Sequence, residues 1–446
     1  MNKDSAKIKS LLIQEGRIID PGQGIDEIGS LLIKEGKISW FGKGNIEPPS
    51  SDFDIIPAKG LIVCPGFIDI HCHLRQPGFE DKETIATGTK AAAKGGFSTI
   101  CCMPNTVPPL DNRDSIRYVI DEAEKIGSIR VLPVGCISKG RRGEELAPMK
   151  EMADAGATGF SDDGDPVMND DLMLEALRIS SEIGLPVIDH CEHTGMTEGG
   201  VMNQGKVSDK LGLKGMPSAS EDIMVARDID LARLGGVHLH IAHVSTAESV
   251  NIIRRAKKAG IKVTAEVTPH HLILSEDTIT GYNTSAKVNP PLRTDKDISA
   301  LIEGINDNTI DAIATDHAPH TGAEKQQSFS DAPFGISGFE TALGSLMSLV
   351  HSEKLSLNTL ISKLTCEPAR IIANRQANLG TLAVGDTADI AIFHPDIEWL
   401  VKTDDFVSKG KNTPLAGARL KGKVMATIYQ GKISYKDTSI KIVRVK

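Results

Sequence analysis

Between residues 66 and 369 the chain repeats one pattern, in which a short apolar run rich in β-branched residues precedes a stretch with helical periodicity. This alternation is typical of parallel β/α units, because each buried strand needs a crossover connection to reach the next parallel strand. We predict eight strands: Gly66–His71, Ser98–Met103, Arg130–Gly135, Thr158–Ser161, Pro186–His190, His238–His243, Lys262–Val267 and Asp311–Thr315. The helices predicted between and after them are Lys82–Lys94, Arg113–Lys125, Glu144–Ala155, Asp170–Ile183, Ser218–Leu234, Ala247–Ala259, Asp297–Asn306 and Gly338–Leu349.

A run of eight such units favours a closed barrel of the α/β class, the (β/α)8 or TIM-like fold, over an open doubly wound sheet. The open Rossmann-like sheet is the alternative, but it requires a Gly-x-Gly-x-x-Gly turn after its first strand, and that turn is absent here. We therefore predict that residues 66–369 form a barrel.

Both ends of the chain have a second pattern, in which glycines separate short strand-like runs. The sequence EGKIS at 35–39 is similar to QGKIS at 430–434. Isolated hairpins are only marginally stable, so the two ends are expected to pair into one β-sandwich built from residues 1–65 and 370–446. The strands predicted there are Ser10–Glu15, Arg17–Asp20, Ser30–Glu35, Lys37–Phe41, Asp389–Phe393, Gly417–Leu420, Lys423–Tyr429 and Lys432–Tyr435.

Composition argues against several classes of protein. The formal charge of −9 and the aromatic content of 4% do not suit a nucleic-acid-binding surface, which needs basic patches and stacking rings. No apolar run approaches the roughly 18 residues of a membrane span, and Met1–Ser10 lacks the basic stretch and apolar core of an export signal. The seven cysteines are odd in number and show no Cys-x-x-Cys spacing, so we expect them to be reduced and buried, as in a cytoplasmic protein.

Candidate metal ligands follow most of the predicted barrel strands. His71 and His73 project to one side of the first strand, because strand side chains alternate. An aspartate pair follows strand four, and His190, His243 and Asp316 end strands five, six and eight. Each is unremarkable alone, but polar groups gathered at one rim are costly unless they bind something. Six nitrogen and oxygen ligands are too many for one tetrahedral zinc ion, so two metals are predicted.

Longer motifs carry a family resemblance. The stretches DIHCHLRQPGFEDKETIATGTKAAAKGGFSTICCMPNT, FSDDGDPV, VTPHHLILSED, VNPPLR and TDHAPH resemble those of bacterial dihydroorotases of the long form, within the amidohydrolase superfamily. The similarity runs through the barrel into the flanking sandwich. It implies an enzyme that interconverts dihydroorotate and N-carbamoyl-L-aspartate in pyrimidine biosynthesis.

By this resemblance, His71, His73 and Asp316 hold the first of two zinc ions, His190 and His243 hold the second, and Asp163 bridges them. Hydantoinases and allantoinases bridge their metals with a carboxylated lysine, which this strand lacks. The same resemblance makes Asp316 the general acid and base that serves a hydroxide shared by the two metals.

The resemblance further assigns substrate contacts to His73, Arg75, Asn105, Asn289 and His320 and to the backbone at Phe334 and Gly335. Arg75 is the expected partner of the substrate carboxylate, because a guanidinium binds that group bidentately. For Asn105 and Asn289, turn formation is the competing reading.

Several points stay open at this stage. The roles of His193, His270, His271 and His317 are undetermined, and His238 and His240 are read as packing residues of strand six. The segments Leu272–Thr294 and Thr321–Ser337 are long enough to be lids. Alternatives to dihydroorotase are another cyclic-amide hydrolase or an inactive partner of aspartate transcarbamoylase. That transferase is a candidate partner in either case, and a homo-oligomer is expected.

Overall fold

The computed structural model describes residues 10–43, 53–372 and 378–445. The first nine residues, on which the expectation of no export signal mainly rests, lie outside the described residues, as do 44–52, 373–377 and 446 within the predicted sandwich segments. Within the described part, no helix is long and apolar enough to cross a membrane.

The chain begins and ends in strands and alternates strands with helices between them. The strands are β1 Ser10–Asp20, β2 Ile25–Lys34, β3 Lys37–Gly42, β4 Phe53–Pro57, β5 Ile62–Pro65, β6 Phe67–Cys72, β7 Phe97–Cys102, β8 Arg130–Pro133, β9 Val187–Asp189, β10 Met202–Asn203, β11 Gly215–Met216, β12 Leu239–Ile241, β13 Val263–Val267, β14 Ala312–Ile313, β15 Ile390–Leu400, β16 Arg419–Tyr429, β17 Lys432–Lys436 and β18 Val443–Val445. The helices are α1 Ile85–Lys94, α2 Arg113–Ile126, α3 Met149–Ala155, α4 Asp170–Ile183, α5 Thr194–Thr197, α6 Lys206–Leu211, α7 Ala219–Gly235, α8 Ala247–Lys258, α9 Pro269–Ile273, α10 Asp295–Asn306, α11 Gly322–Lys325, α12 Ala342–His351, α13 Leu357–Leu364 and α14 Cys366–Ile371.

The middle strands close into a parallel barrel in chain order. Strands β6, β7 and β8 pair in one sheet, and β9, β12, β13 and β14 pair in another. Phe160 joins the two sheets through parallel bridges to Gly135 and Val187, and a parallel bridge between Cys72 and His317 closes the ring. The predicted (β/α)8 barrel is confirmed, with each observed strand within a few residues of its prediction.

The fourth barrel strand corrects the prediction. Thr158–Ser161 was expected to be a strand, but only Phe160 makes strand-like bridges there. The segment still follows the barrel wall, because Phe160 N donates to Pro186 O and Ile188 N donates to Phe160 O. Its pairing is too short to extend further, since the chain turns at once into the aspartate pair.

The predicted sandwich segments pair with each other. Strand β5 runs parallel to β1 and antiparallel to β15, so the first strands of the chain and the last belong to one nine-stranded sheet. The structure adds β4, β5 and β18 to the predicted strands. It merges the first two predictions into β1, with a register shift between Ile13 and Gly16, and merges Gly417–Leu420 and Lys423–Tyr429 into β16. One apolar core holds Ile33, Ile38 and Ile428 together, because the sheet folds over on itself.

The echoed sequences are two hairpin turns. Glu35–Gly36 joins β2 to β3 and Gln430–Gly431 joins β16 to β17, with positive φ at all four residues, as in type I′ turns. The turns come together, because Ala388 N donates to Gly36 O and Gly431 N donates to Ala388 O. Two turns of the same type, about four hundred residues apart in the chain, are therefore linked through Ala388.

Candidate metal and active site

Five of the six predicted ligands form two overlapping groups at the carboxyl ends of the barrel strands. His71, His73 and Asp163 form one group and Asp163, His190 and His243 form the other, with the ligand atoms in each group within 4.8 Å of one another. The sixth, Asp316, has its Oδ1 atom 3.0 Å from Nε2 of His73 and 3.8 Å from Nε2 of His71. The structure thus brings together all six residues from five barrel strands.

The position of Asp163 is that expected of a bridging carboxylate. Its Oδ1 atom lies 3.4 Å from Nε2 of His71, 3.5 Å from Nε2 of His243 and 3.7 Å from Nδ1 of His190. Burial by itself would raise the pKa of Asp163, but the surrounding imidazoles outweigh it and hold this pKa well below its ordinary value. An ionised carboxylate shared by two groups of imidazoles can serve two cations at once.

The donor set fits a metal pair. Nε2 of His71 is buried and has no hydrogen-bond partner among the described residues, which is a costly arrangement unless a cation fills the gap. Imidazole nitrogen and carboxylate oxygen are ligands that zinc accepts, although other divalent transition metals accept them too.

Glu266, on β13, orients the first histidine from inside the barrel. Its Oε1 atom lies 2.7 Å from Nδ1 of His71, and its Oε2 atom lies 3.2 Å from Nε2 of His240. Burial alone would raise the pKa of Glu266, but the two imidazoles lower it to about 2. A carboxylate on Nδ1 leaves Nε2 of His71 free to face the metal side.

Glu192 plays the matching part for the second group. Its Oε2 atom lies 2.9 Å from Nε2 of His190, which turns Nδ1 of that ring toward Asp163. Its other contacts are with the hydroxyl of Thr197 and with Nδ2 of Asn289, which donates over 2.6 Å. Sequence reasoning missed both acids, although Glu192 lies two residues after His190 and Glu266 lies within the predicted strand Lys262–Val267.

The two predicted substrate-binding asparagines are already engaged by protein groups. Oδ1 of Asn105 lies 2.8 Å from Nδ1 of His73, and its Nδ2 donates to Asp163 over 3.3 Å. Asn289 donates to Glu192 as described. Asn105 therefore bonds two of the candidate ligands, and Asn289 bonds the carboxylate that contacts His190.

Three of the predicted substrate contacts lie together: Arg75, His320 and Phe334. Nη2 of Arg75 lies 3.2 Å from Nε2 of His320, and that nitrogen lies 2.8 Å from the carbonyl oxygen of Phe334. Nε of Arg75 donates to the carbonyl oxygen of Pro319 over 3.2 Å. Nδ1 of His320 has no hydrogen bond among the described residues, and the nearest carboxylate oxygen, Oε2 of Glu324, lies 3.6 Å away. A guanidinium and an imidazole thus lie side by side at the barrel rim.

Three site residues have strained backbones. Arg75, His243 and Asp316 adopt φ values of 61°, 30° and 44°, in the left-handed region that side chains other than glycine rarely enter. Such strain persists only where the surrounding structure enforces it, and it is concentrated at functional sites. Each of the three residues lies just beyond the end of a barrel strand, where the chain bends.

The remaining histidines fall into two classes. His271 bonds Thr268 and the carbonyl oxygen of Pro290, and His317 accepts from Gly338 N and stacks on Phe339. Burial lowers the pKa of His270 to about 4, and its Nε2 has no partner among the described residues. Nδ1 of His193 is likewise unpartnered, so the roles of these two rings stay open.

Two further predictions concern the cysteines and the long segments after strands seven and eight. All seven cysteines are free and buried, as predicted. The segments predicted as candidate lids contain short helices, among them α11, and Gly335 N donates to the carbonyl oxygen of Lys287 to join one segment to the other. They lie against each other in the structure, and a lid motion stays a prediction.

Comparisons with known sequences point to one family. The family model described as dihydro-orotase-like matches residues 60–249. Dihydroorotase from Geobacter metallireducens is 48% identical over 427 residues, covering 96% of this chain and 100% of the relative. Dihydroorotase from a Thermoanaerobacter species is also 48% identical, covering 96% of this chain and 97% of the relative.

Solved structures show the same fold. The L-hydantoinase (dihydropyrimidinase) of Arthrobacter aurescens has a TM-score of 0.86 at 24% identity, covering 98% of each chain. The dihydropyrimidinase of Brevibacillus agri has a TM-score of 0.83 at 22% identity, covering 98% of this chain and 97% of that one. Identity at this level supports the barrel with its sandwich and nothing finer. The full-length sequence similarity decides the family: this chain belongs to the dihydroorotases, within the cyclic-amide hydrolases.

Proposed function

We propose that the chain catalyses the reversible hydrolysis of dihydroorotate to N-carbamoyl-L-aspartate at a two-metal centre, as a step of pyrimidine biosynthesis. One observation carries the proposal: the two ligand groups that share Asp163 lie beside Asp316 and on the same rim as the Arg75–His320 pair. A centre for amide hydrolysis and a site for a carboxylate are thereby adjacent.

The distances support an assignment of the ligands. His71, His73 and Asp316 would hold one zinc ion, His190 and His243 the other, and Asp163 would bridge them. When bound, such a pair supplies a water activated at neutral pH and polarises the substrate carbonyl. Glu266 and Glu192 fix which ring nitrogen of His71 and of His190 faces the centre.

Asp316 is proposed to carry the proton. Burial alone would raise the pKa of Asp316, but the hydrogen bond from His73 and the nearby imidazoles hold it below its ordinary value, so the carboxylate is ionised near neutral pH. It accepts the proton of the attacking water and delivers it to the ring nitrogen as the amide C–N bond breaks. The hydroxyl stays on the carbonyl carbon, and the reverse transfer closes the ring.

Arg75 is proposed to hold the carboxylate of the substrate. Its half-buried guanidinium lies beside His320, and a fork of N–H donors matches two carboxylate oxygens. The backbone at Phe334 and Gly335 offers further polar contacts on the same side. This pocket favours dihydroorotate over ring amides that lack the carboxylate.

A second candidate is hydrolysis of another cyclic amide, which the similarity in fold to a hydantoinase and a dihydropyrimidinase brings to mind. The experiment is a turnover assay of metal-analysed protein on dihydroorotate, hydantoin, dihydrouracil and allantoin, with and without chelator. We expect turnover of dihydroorotate that a chelator abolishes and added zinc restores. Preference for an uncharged ring, or full activity without metal, would refute the proposal.

The same preparation addresses the inactive-partner alternative. Two bound metals with turnover would refute it, whereas protein free of both would support it. Association with aspartate transcarbamoylase and formation of a homo-oligomer are further proposals, and sedimentation of the chain alone and with that transferase would test both.

A further inference from the structure

The connection between β15 and β16 leaves the sandwich and lies on the rim of the barrel. We call residues 406–414 the rim segment. Val407 N and Ser408 N donate to the carboxylate of Glu340, next to α12, and Ser408 Oγ donates to the buried Glu83, which precedes α1. The rim segment is therefore fixed to two separate parts of the barrel.

Asn412 is the residue of the rim segment that reaches the proposed carboxylate pocket. Its Nδ2 donates to the carbonyl oxygens of Ala318, over 3.1 Å, and of Gly335, over 2.9 Å. Its Oδ1 accepts from His320 N over 3.0 Å and from Ser337 Oγ over 2.9 Å. The asparagine is buried. All four hydrogen bonds of its side-chain amide go to residues 318–320 and 335–337, the two segments that carry the pocket.

Close packing also holds the rim segment against the pocket. Gly410 lies so near Pro319 that a Cβ atom there would overlap the proline ring, and Ser337 N donates to the carbonyl oxygen of Asn412 over 2.8 Å. The stretch from Ala318 to Ser337 has polar side chains and a short helix, α11, between its ends. Asn412 therefore bonds both ends of that stretch, which holds His320 and Gly335 in place.

We propose that Asn412 is a positioning residue for the substrate carboxylate, so that the sandwich domain contributes to substrate specificity through the rim segment. The inference rests on the proposed function for the meaning of the pocket. Asn412 fixes the backbone of His320 and Gly335, and the His320 ring lies against Arg75. Loss of the four bonds would let His320 and Gly335 move relative to Arg75 and to the proposed metal ligands.

The test uses the full-length, metal-loaded protein and the variants Asn412→Ala and Asn412→Asp. The first removes all four bonds, and the second keeps the acceptor while losing both donations. Thr427→Val is the matched control, because the buried Thr427 Oγ1 donates to the carbonyl oxygen of Ala93 across the same two domains, and no hydrogen bond of this hydroxyl goes to 318–337. Steady-state kinetics on dihydroorotate and dihydrouracil, metal content and amide hydrogen exchange are measured for each.

For both Asn412 variants we expect KM for dihydroorotate to rise by about tenfold or more, with kcat within about threefold of the parent, since the lost contacts position the substrate rather than activate it. Activity on dihydrouracil and metal content should stay near the parent values. Exchange should accelerate within 318–337. The control variant should change none of these quantities.

An unchanged KM for dihydroorotate, or an equal loss on both substrates, would overturn the proposal, and so would unchanged exchange in 318–337. Failure of the proposed function looks different: the parent protein itself would not turn over dihydroorotate. In that event the exchange measurement still decides whether Asn412 fixes the segment, and unaltered exchange would reject it.

Discussion

Nδ1 of His71 lies 2.7 Å from Oε1 of Glu266, while Nε2 of the same ring faces Asp163 and has no protein hydrogen bond among the described residues. The ring is thus held on one side by a carboxylate and left open on the other. Because Glu266 also bonds His240 and is fully buried, its position is fixed by the barrel interior and not by solvent. The geometry makes Glu266 an outer partner of the metal centre.

Glu266→Gln should weaken metal binding by about 10- to 100-fold, because the neutral amide polarises His71 less and does not enforce its tautomer. Competition against a chromogenic chelator would measure the affinity directly, without reference to turnover. Glu248→Gln, on the exposed face of α8, is the control and should match the parent. Parent-like affinity in Glu266→Gln would show that the carboxylate is irrelevant to the centre.

Asp316→Asn should lower kcat by about 10²- to 10⁴-fold, because an amide cannot accept the proton of the attacking water. His71, His73, Asp163, His190 and His243 remain, so the metal content should be largely kept. Stopped assays with parallel metal analysis would check both values. Turnover near that of the parent would remove Asp316 from proton transfer, and loss of both metals would leave it a ligand only.

Arg75→Met should raise KM for dihydroorotate by about 10- to 100-fold with a smaller effect on kcat, since a charged hydrogen bond made in ground and transition states alike is lost. Arg113→Met, at the exposed start of α2, is the matched control. Initial-rate kinetics over a wide substrate range would give both constants. An unaltered KM would place the substrate carboxylate elsewhere.

Lys325, in α11, gives a pH prediction away from the metal ligands. Burial, helped by the charge of Lys287, lowers the pKa of Lys325 from 10.5 to about 7. Between about pH 7 and pH 10 the unfolded chain therefore binds more protons at this group than the folded protein, so folding stability contributed by this group increases with pH. Below pH 7 the lysine is protonated in both states, and its burial penalty is fully present.

The thermal unfolding midpoint of the parent relative to Lys325→Met should therefore rise from pH 6.5 to pH 9. Lys296→Met, in the first turn of α10, is the control and should track the parent at every pH. Midpoints from scanning fluorimetry at constant ionic strength would show the trend. Parallel curves for the parent and Lys325→Met would mean that the lysine titrates normally in the folded protein.

The barrel and the six side chains gathered at its rim could be predicted because their signals are local. A buried parallel strand is apolar through its length, so polar residues stand out at its end, and His71, His190, His243 and Asp316 were recognisable for that reason. Helix α4 was predicted with its observed bounds, because Asn169 caps it and Gly184 ends it. Neighbouring residues supply these signals, and distant contacts are not needed to read them.

The rest depended on contacts across the fold. Glu266 and Glu192 look like ordinary strand and loop acids until the barrel brings His71 and His190 against them. Asn412 lies over ninety residues from His320 in the chain, and the sequence around Asn412 predicts only a loop that connects two strands. The residues around Phe160 predict a longer strand. The observed pairing is short because it depends on the neighbouring strands.

Closure of the barrel has a consequence for how the protein is made. His73 N donates to His317 O, and Asp316 N donates to His71 O, so the seam joins the first and last barrel strands beside the metal ligands. During synthesis from the first residue onward, that seam cannot form until residue 317 has left the ribosome, and the sandwich waits still longer for β15. Both modules therefore complete their pairing late in translation, the barrel seam after residue 317 and the sandwich after the last strands.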